Sequence, residues 1–165
     1  MMINKNNFYC NVTYSSLVNT EKSNKRLIKT GEDQYVIDAG QKKFGATQCA
    51  ECGTIYQAYL YIDKKQILGC LIVEPKVRAY KLIPGDPDCC SVEDYPVKCG
   101  VSRIWTHRNH RRRGIAARLL NCARASFLYG GALRVSDVAF SAPTAAGKAF
   151  ATKYCDTPNF YVYLD

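Results

Sequence analysis

Between Cys99 and Ala116 the chain carries the residue types of an anion site. Cys99-Gly100-Val101-Ser102-Arg103-Ile104-Trp105 reads as a β-strand, the basic turn Thr106 to Arg113 follows, and Gly114-Ile115-Ala116 opens an apolar pattern of helical period. The first backbone N–H groups of a helix have no partner within it and sit at the positive end of its dipole. A glycine-led basic turn at that point therefore presents donors to phosphate. Arg108, Arg111, Arg112 and Arg113 add guanidinium groups suited to a multiply anionic ligand. A basic loop that touches nucleic acid, or one that is only solvated, has the same composition, so these readings stay open here.

Cys49-Ala50-Glu51-Cys52-Gly53 is the second group with chemistry. Two cysteines three apart, closed by glycine, can point both thiolates at one ion and form half of a tetrahedral zinc site; two free thiols are the alternative. The chain has two histidines, His107 and His110, at a spacing that suits a ligand pair, but they stand in the basic turn, far along the chain from the cysteines.

These groups need elements to hold them. Residues 1–33 are polar and rich in Asn, Ser, Thr and Lys, the composition of a mobile tail, and Asn24-Lys25-Arg26 with Lys29 suits either nuclear import, phosphate contact or plain solvation. From Gln34 to Gly45 short apolar runs alternate with glycine turns. Ile55 to Ile62 and Ile67 to Val73 are expected to form a hairpin around Asp63-Lys64-Lys65, with the second strand central because it is apolar on both faces. Glu74-Pro75 ends it, Lys76 to Leu82 extends it or begins another strand, and Pro84 to Pro96 is expected to be an irregular acidic loop. Ile115, Ala116, Leu119, Leu120, Ala123 and Phe127 recur at helical spacing up to Gly130-Gly131. A strand over Val135 to Phe140, a helix over Ala145 to Tyr154 and a strand over Phe160 to Leu164 complete an α/β pattern: one mixed sheet flanked by helices.

Composition sets the outer limits. A chain of 165 residues suits one domain with a short tail, and a net charge of +9 calls for anionic partners: a phosphorylated cofactor, nucleic acid or an acidic protein surface. With no signal-peptide core and no long apolar run, the expectation is a soluble intracellular protein whose nine cysteines stay reduced.

Arg111-x-x-Gly114-x-Ala116 matches the Arg/Gln-x-x-Gly-x-Gly/Ala signature of acetyl-CoA-dependent N-acetyltransferases. With it stand Tyr35 to Tyr56 (YVIDAGQKKFGATQCAECGTIY), Gly69 to Pro75 (GCLIVEP), Cys99 to Trp105 (CGVSRIW), Ala139 to Thr144 (AFSAPT) and Gly147 to Cys155 (GKAFATKYC). In this order the runs resemble the sister-chromatid cohesion N-acetyltransferases, the establishment-of-cohesion family. That resemblance implies a GNAT-like mixed sheet lacking its first elements, preceded by a partial zinc finger. Its domains would be a tail over 1–33, a partial C2H2-type finger over 34–56 and an acetyltransferase domain over 57–165. It also implies transfer of acetyl from acetyl-CoA to a lysine of a cohesin subunit, in the nucleus and on chromatin, without a membrane.

By the same resemblance Ile104, Trp105, Thr106, Arg111, Arg112, Arg113, Gly114, Ile115 and Ala116 hold acetyl-CoA, Ser141 is the catalytic position that matches, and Cys49 and Cys52 are zinc ligands. Two departures follow. The family's histidine ligands and the first part of its catalytic fold have no counterpart after Tyr56, so the finger needs ligands from His107 and His110 or from another chain. Asn121 and Ala142 stand where the family carries acidic residues, which leaves Glu74 and Asp137 as substitutes for a base, although each is also an ordinary strand-end or turn carboxylate. Tyr154 stands where such folds keep a group near the leaving thiolate, and equally where a helix packs an aromatic ring. A shortened, non-catalytic relative that binds cofactor or partner is the alternative function.

Overall fold

The computed structural model describes the backbone of residues 34–38, 41–48, 55–63 and 66–164, with side chains from residue 55 onward. The tail over 1–33 and the cysteines Cys49 and Cys52 lie outside the described residues. Nine strands form one sheet: β1 (Gln34–Asp38), β2 (Gln41–Gln48), β3 (Ile55–Asp63), β4 (Gln66–Pro75), β5 (Arg78–Ile83), β6 (Cys89–Pro96), β7 (Cys99–Thr106), β8 (Val138–Ser141) and β9 (Tyr161–Tyr163). Their spatial order is β1-β2-β3-β4-β7-β8-β9-β5-β6. β7, β8 and β9 run parallel and all other neighbours antiparallel. Two helices, α1 (Ile115–Ser126) and α2 (Ala145–Cys155), make the crossovers from β7 to β8 and from β8 to β9. None of the described helices is long and apolar enough to cross a membrane.

The helical face of the sheet holds the main core. Leu71 and Val73 of β4, Cys99 and Val101 of β7, Val138 and Phe140 of β8 and Val162 of β9 alternate onto it and meet Ile115, Leu119, Leu120 and Ala123 of α1. Gly69 lets α1 lie this close, because a Cβ there would stand 2.6 Å from Ile115 Cγ2 and 3.0 Å from Leu119 Cδ1. On the other face Tyr163 packs with Ala79, Val97 and Ala139. Its ring crosses Gly100, where a Cβ would come within 2.7 Å of ring carbon Cε1, and its hydroxyl donates to buried Glu74 at 2.7 Å. Lys76 is also 3.4 Å from that carboxylate.

Two expectations from the sequence change. Pro84 to Pro96 is not all loop: Cys89–Pro96 is β6, paired with β5 at the rim of the sheet. The prolines do not obstruct it, since Pro84 and Pro87 stand in the turn and Pro96 is the last strand residue, on an edge strand that needs no N–H there. A bulge lies at its centre, where the Ser91 hydroxyl takes the Lys81 N–H at 2.9 Å and donates to the Glu93 carbonyl at 2.7 Å. The strand expected over Val135 to Phe140 begins as a 3-10 turn, Val135–Asp137, and becomes β8 only at Val138.

Asp137 closes that turn. Its buried carboxylate accepts from the Arg134 backbone N–H at 2.8 Å and from the Arg134 guanidinium at 3.3 and 3.1 Å, with Lys98 3.9 Å away. The Arg134 guanidinium holds this carboxyl below the ordinary aspartate range. Its stabilising effect is therefore present above the unfolded-state value near pH 4 and is lost as the pH falls through the depressed native value. Asp137→Asn is expected to cost about 1–3 kcal/mol at pH 7 and progressively less as the pH falls below about 4, which urea unfolding across that range measures.

Candidate functional site

β7 is paired to β4 along its whole length, Cys99 with Pro75 through Thr106 with Gly69, but to β8 only from Cys99 to Val101. The register against β4 shifts at Ser102, an extra residue that bends β7 where β8 leaves it. Beyond this point β8 ends, one residue later at Ser141, and the edge of Ile104, Trp105 and Thr106 that faces away from β4 has no strand beside it among the described residues. The Ser141 hydroxyl donates to the Ser102 carbonyl at 2.8 Å. An unpaired strand edge of this kind exposes backbone donors and acceptors, independent of side-chain identity.

This edge runs straight into the basic turn. His107 caps a 3-10 turn over Arg108–His110, taking the Asn109 N–H on its Nδ1 at 3.3 Å, and the His110 Nδ1 lies 3.4 Å from the same atom. Arg111 reaches back to the Thr106 carbonyl at 3.3 Å. Arg112 and Gly114 then take left-handed backbone conformations, φ 63° and 78°. Gly114 caps α1 without a side chain, and the space where its Cβ would stand is open to 4 Å. The N–H groups of Ile115 and Ala116 therefore begin the helix uncapped. Arg111, Arg112, Arg113 and Gly114 are exposed, Ile115 is buried and anchors the helix, Ile104 packs on the core, and Trp105 is 43 % exposed. The sequence-expected residues from Ile104 to Ala116 thus form one continuous strand–turn–helix segment, with Ser141 hydrogen-bonded to Ser102 at its strand end.

The proposed proton handlers fare differently. Glu74 is buried and already bonded to Tyr163 and Lys76, and Asp137 is held in the Arg134 clamp, so both carboxylates are already engaged. Tyr154 of α2 donates to the Asn121 side-chain oxygen at 2.6 Å and accepts from Arg124 at 3.1 Å, joining α2 to α1. Burial raises the Tyr154 phenol above its usual range, and the Arg124 hydrogen bond opposes that rise. Sequence reasoning did not find this cluster or Gly69; a glycine within an otherwise β-branched run facing a helix was the available signal.

For the metal, no group of three or more possible ligands exists among the described residues. Gln48 and Ile55, which flank the cysteine pair, are opposite one another, and Ile55 lies two residues past the Gln57–Val73 pair. His107 follows Thr106, which pairs with Gly69. Six strand positions, about 20 Å, separate these levels of the sheet. The one to three residues between either strand end and a cysteine span at most about 10 Å. Cys49 and Cys52 lie outside the described residues, so the pairing of these cysteines with His107 and His110 stays an expectation from the sequence.

Known proteins share these features. Residues 95–163 match a family model described as ESCO1/2 acetyl-transferase, and residues 34–66 match one described as the zinc-finger of acetyl-transferase ESCO. Mouse N-acetyltransferase ESCO2 is 32 % identical over 223 residues, covering 82 % of this chain, and human N-acetyltransferase ESCO2 is 30 % identical over 251 residues, covering 95 %. The chain spans only 38 % and 41 % of the length of these two relatives. Among solved structures, the xEco2 acetyltransferase domain matches with TM-score 0.65 and 41 % identity, covering 67 % of this chain and 69 % of that one. The same domain bound to a K105-CoA conjugate matches with TM-score 0.65 and 37 % identity, covering 82 % of this chain and 76 % of that one.

Proposed function

The chain belongs to the ESCO family of N-acetyltransferases, and on that footing we propose that it binds acetyl-CoA along the β7–α1 segment and transfers the acetyl group to a protein lysine. The acceptor we infer is a subunit of cohesin, in the nucleus, during establishment of sister-chromatid cohesion. One observation carries the reading: the unpaired edge of β7 leads directly to an uncapped helix start with left-handed Arg112 and Gly114. The N–H groups from Arg112 to Ala116 hold the pyrophosphate, with Arg111, Arg112 and Arg113 neutralising its charge. Along that edge, the backbone of Ile104 to Thr106 lies beside the thioester, and its N–H groups polarise the carbonyl.

Bound acetyl-CoA supplies an activated acyl group, so the residues here need only orient it and receive a neutral amine. A lysine of ordinary pKa, about 10.4, is almost wholly protonated near pH 7. The Ser141 hydroxyl, at the end of β8, orients the amine or a water that relays its proton. Cys49 and Cys52 are two of the four ligands of a zinc ion, with the others supplied by His107 and His110 or by another chain.

A second reading, a cofactor- or partner-binding relative without turnover, is favoured by the Asn121 side chain engaged with Tyr154 and by the apolar Ala142 just after β8. Calorimetric titration of the metal-analysed protein with acetyl-CoA tests the shared first step. Saturable one-to-one binding is expected, and the absence of saturable heat removes the acetyltransferase reading and leaves only a partner-binding relative.

A further inference from the structure

Positive charge is concentrated at the β7–α1 end of this sheet, where Asp63 at the end of β3 and Asp38 at the end of β1 are the acidic strand residues described. From Tyr95 to Ser136 there is no aspartate or glutamate, while Arg108, Arg111, Arg112, Arg113 and Arg118 crowd the turn and the first turn of α1. All five are exposed, and none has a carboxylate partner among the described residues. Asp86, Asp88, Glu93 and Asp94 lie on the β5–β6 hairpin, at the far edge of the sheet from β3 and β4. The described ion pairs involve Lys76, Arg78, Lys98, Arg134 and Lys148, all outside this turn.

This basic surface extends from the turn toward β3. Arg118 reaches the Tyr61 hydroxyl of β3 at 3.4 Å, two strands and so about 10 Å from β7, while Arg108 lies on the 3-10 turn at the other side of the cradle. We propose that the β7–α1 end binds the phosphodiester backbone of double-stranded nucleic acid, without reading its bases. Charge is the first reason: guanidinium groups beside an uncapped helix start suit phosphate oxygens. The second is what the surface lacks. Trp105 is the one large exposed hydrophobic residue between Cys99 and Arg118, and a protein partner would require an apolar centre to its interface. No element there is shaped to enter a groove, so contacts fall on the backbone. Because the footprint includes Arg111 to Arg113, nucleic acid and acetyl-CoA compete for it.

Fluorescence anisotropy with a labelled 20-base-pair duplex tests this on the full chain. About four phosphate contacts give a slope of log affinity against log salt near −3.6, an approximately 100-fold loss between 50 and 200 mM KCl. Two duplexes of unrelated sequence are expected to bind alike. Arg118→Glu is expected to weaken duplex binding severalfold while the calorimetric acetyl-CoA affinity stays unchanged, which also reports an intact fold; Arg118→Gln gives a smaller loss. No binding at 50 mM KCl, affinity indifferent to salt or to the charge reversal, or poly-glutamate bound as tightly as the duplex overturns the proposal. None of these results bears on the acetyl-CoA reading, which the calorimetric arm reports separately.

Discussion

Gly114→Glu is expected to abolish acetyl-CoA binding, lowering affinity at least 100-fold while leaving the fold in place. Two costs combine. Gly114 has φ 78°, a left-handed conformation that costs a residue with a Cβ about 1–2 kcal/mol. The second is electrostatic: the open space over Gly114 is the seat proposed for the pyrophosphate, and a carboxylate there opposes it at close range. Two like charges 4 Å apart near a protein surface repel by about 4 kcal/mol. Gly114→Ala separates the terms, since it carries the strain without the charge, and about tenfold weaker binding is expected. Acetyl-CoA titration of the three proteins, with thermal unfolding to establish that the helix remains, reads both effects. Equal affinity for wild type and Gly114→Glu places the cofactor elsewhere.

Asn121→Asp combined with Ala142→Asp is expected to raise the acetylation rate near pH 7 by about 100-fold, the lower part of the range for general acid–base catalysis. At pH 7.4 only about one lysine in a thousand is neutral. Glu74 and Asp137, the carboxylates nearest in motif order, are occupied by Tyr163, Lys76 and Arg134. Without a titrating base the rate follows the neutral fraction of the acceptor amine. It should therefore rise about tenfold per pH unit from pH 7 to 9, because the deprotonated form reacts. With the two carboxylates present the rise should flatten above their own titration. Tyr154 can still donate to an aspartate at position 121, so the α1–α2 contact survives the exchange. A rate profile that is unchanged by the double substitution assigns the deficit to the scaffold rather than to acid–base chemistry.

Local pattern carried the sequence a long way. The apolar repeat from Ile115 to Phe127 gave α1 within a residue, because helical spacing and the glycines that follow are local signals. The same held for the β3–β4 hairpin and for the basic turn. Other features depend on contacts distant in sequence. The unpaired edge after Val101 arises from a bulge at Ser102 and from the end of β8, and neither has a compositional mark. Tyr154 meets Asn121 across 33 residues, a contact that helical period alone does not specify. β6 was obscured because three prolines and four acidic residues suggest loop, whereas an edge strand tolerates both when the prolines occupy its turn and its end. The histidine pair had the spacing of metal ligands, and only strand register shows that it follows the opposite end of β4 from the level of Gln48 and Ile55.

Mass spectrometry of an ATPase-head fragment of a cohesin subunit, after incubation with this protein and acetyl-CoA, tests the central claim most directly. A lysine of the fragment is expected to carry a new acetyl group, formed faster as the pH rises and absent with Gly114→Glu. Saturable acetyl-CoA binding with every lysine of the fragment unmodified, at any pH from 7 to 9, would contradict it.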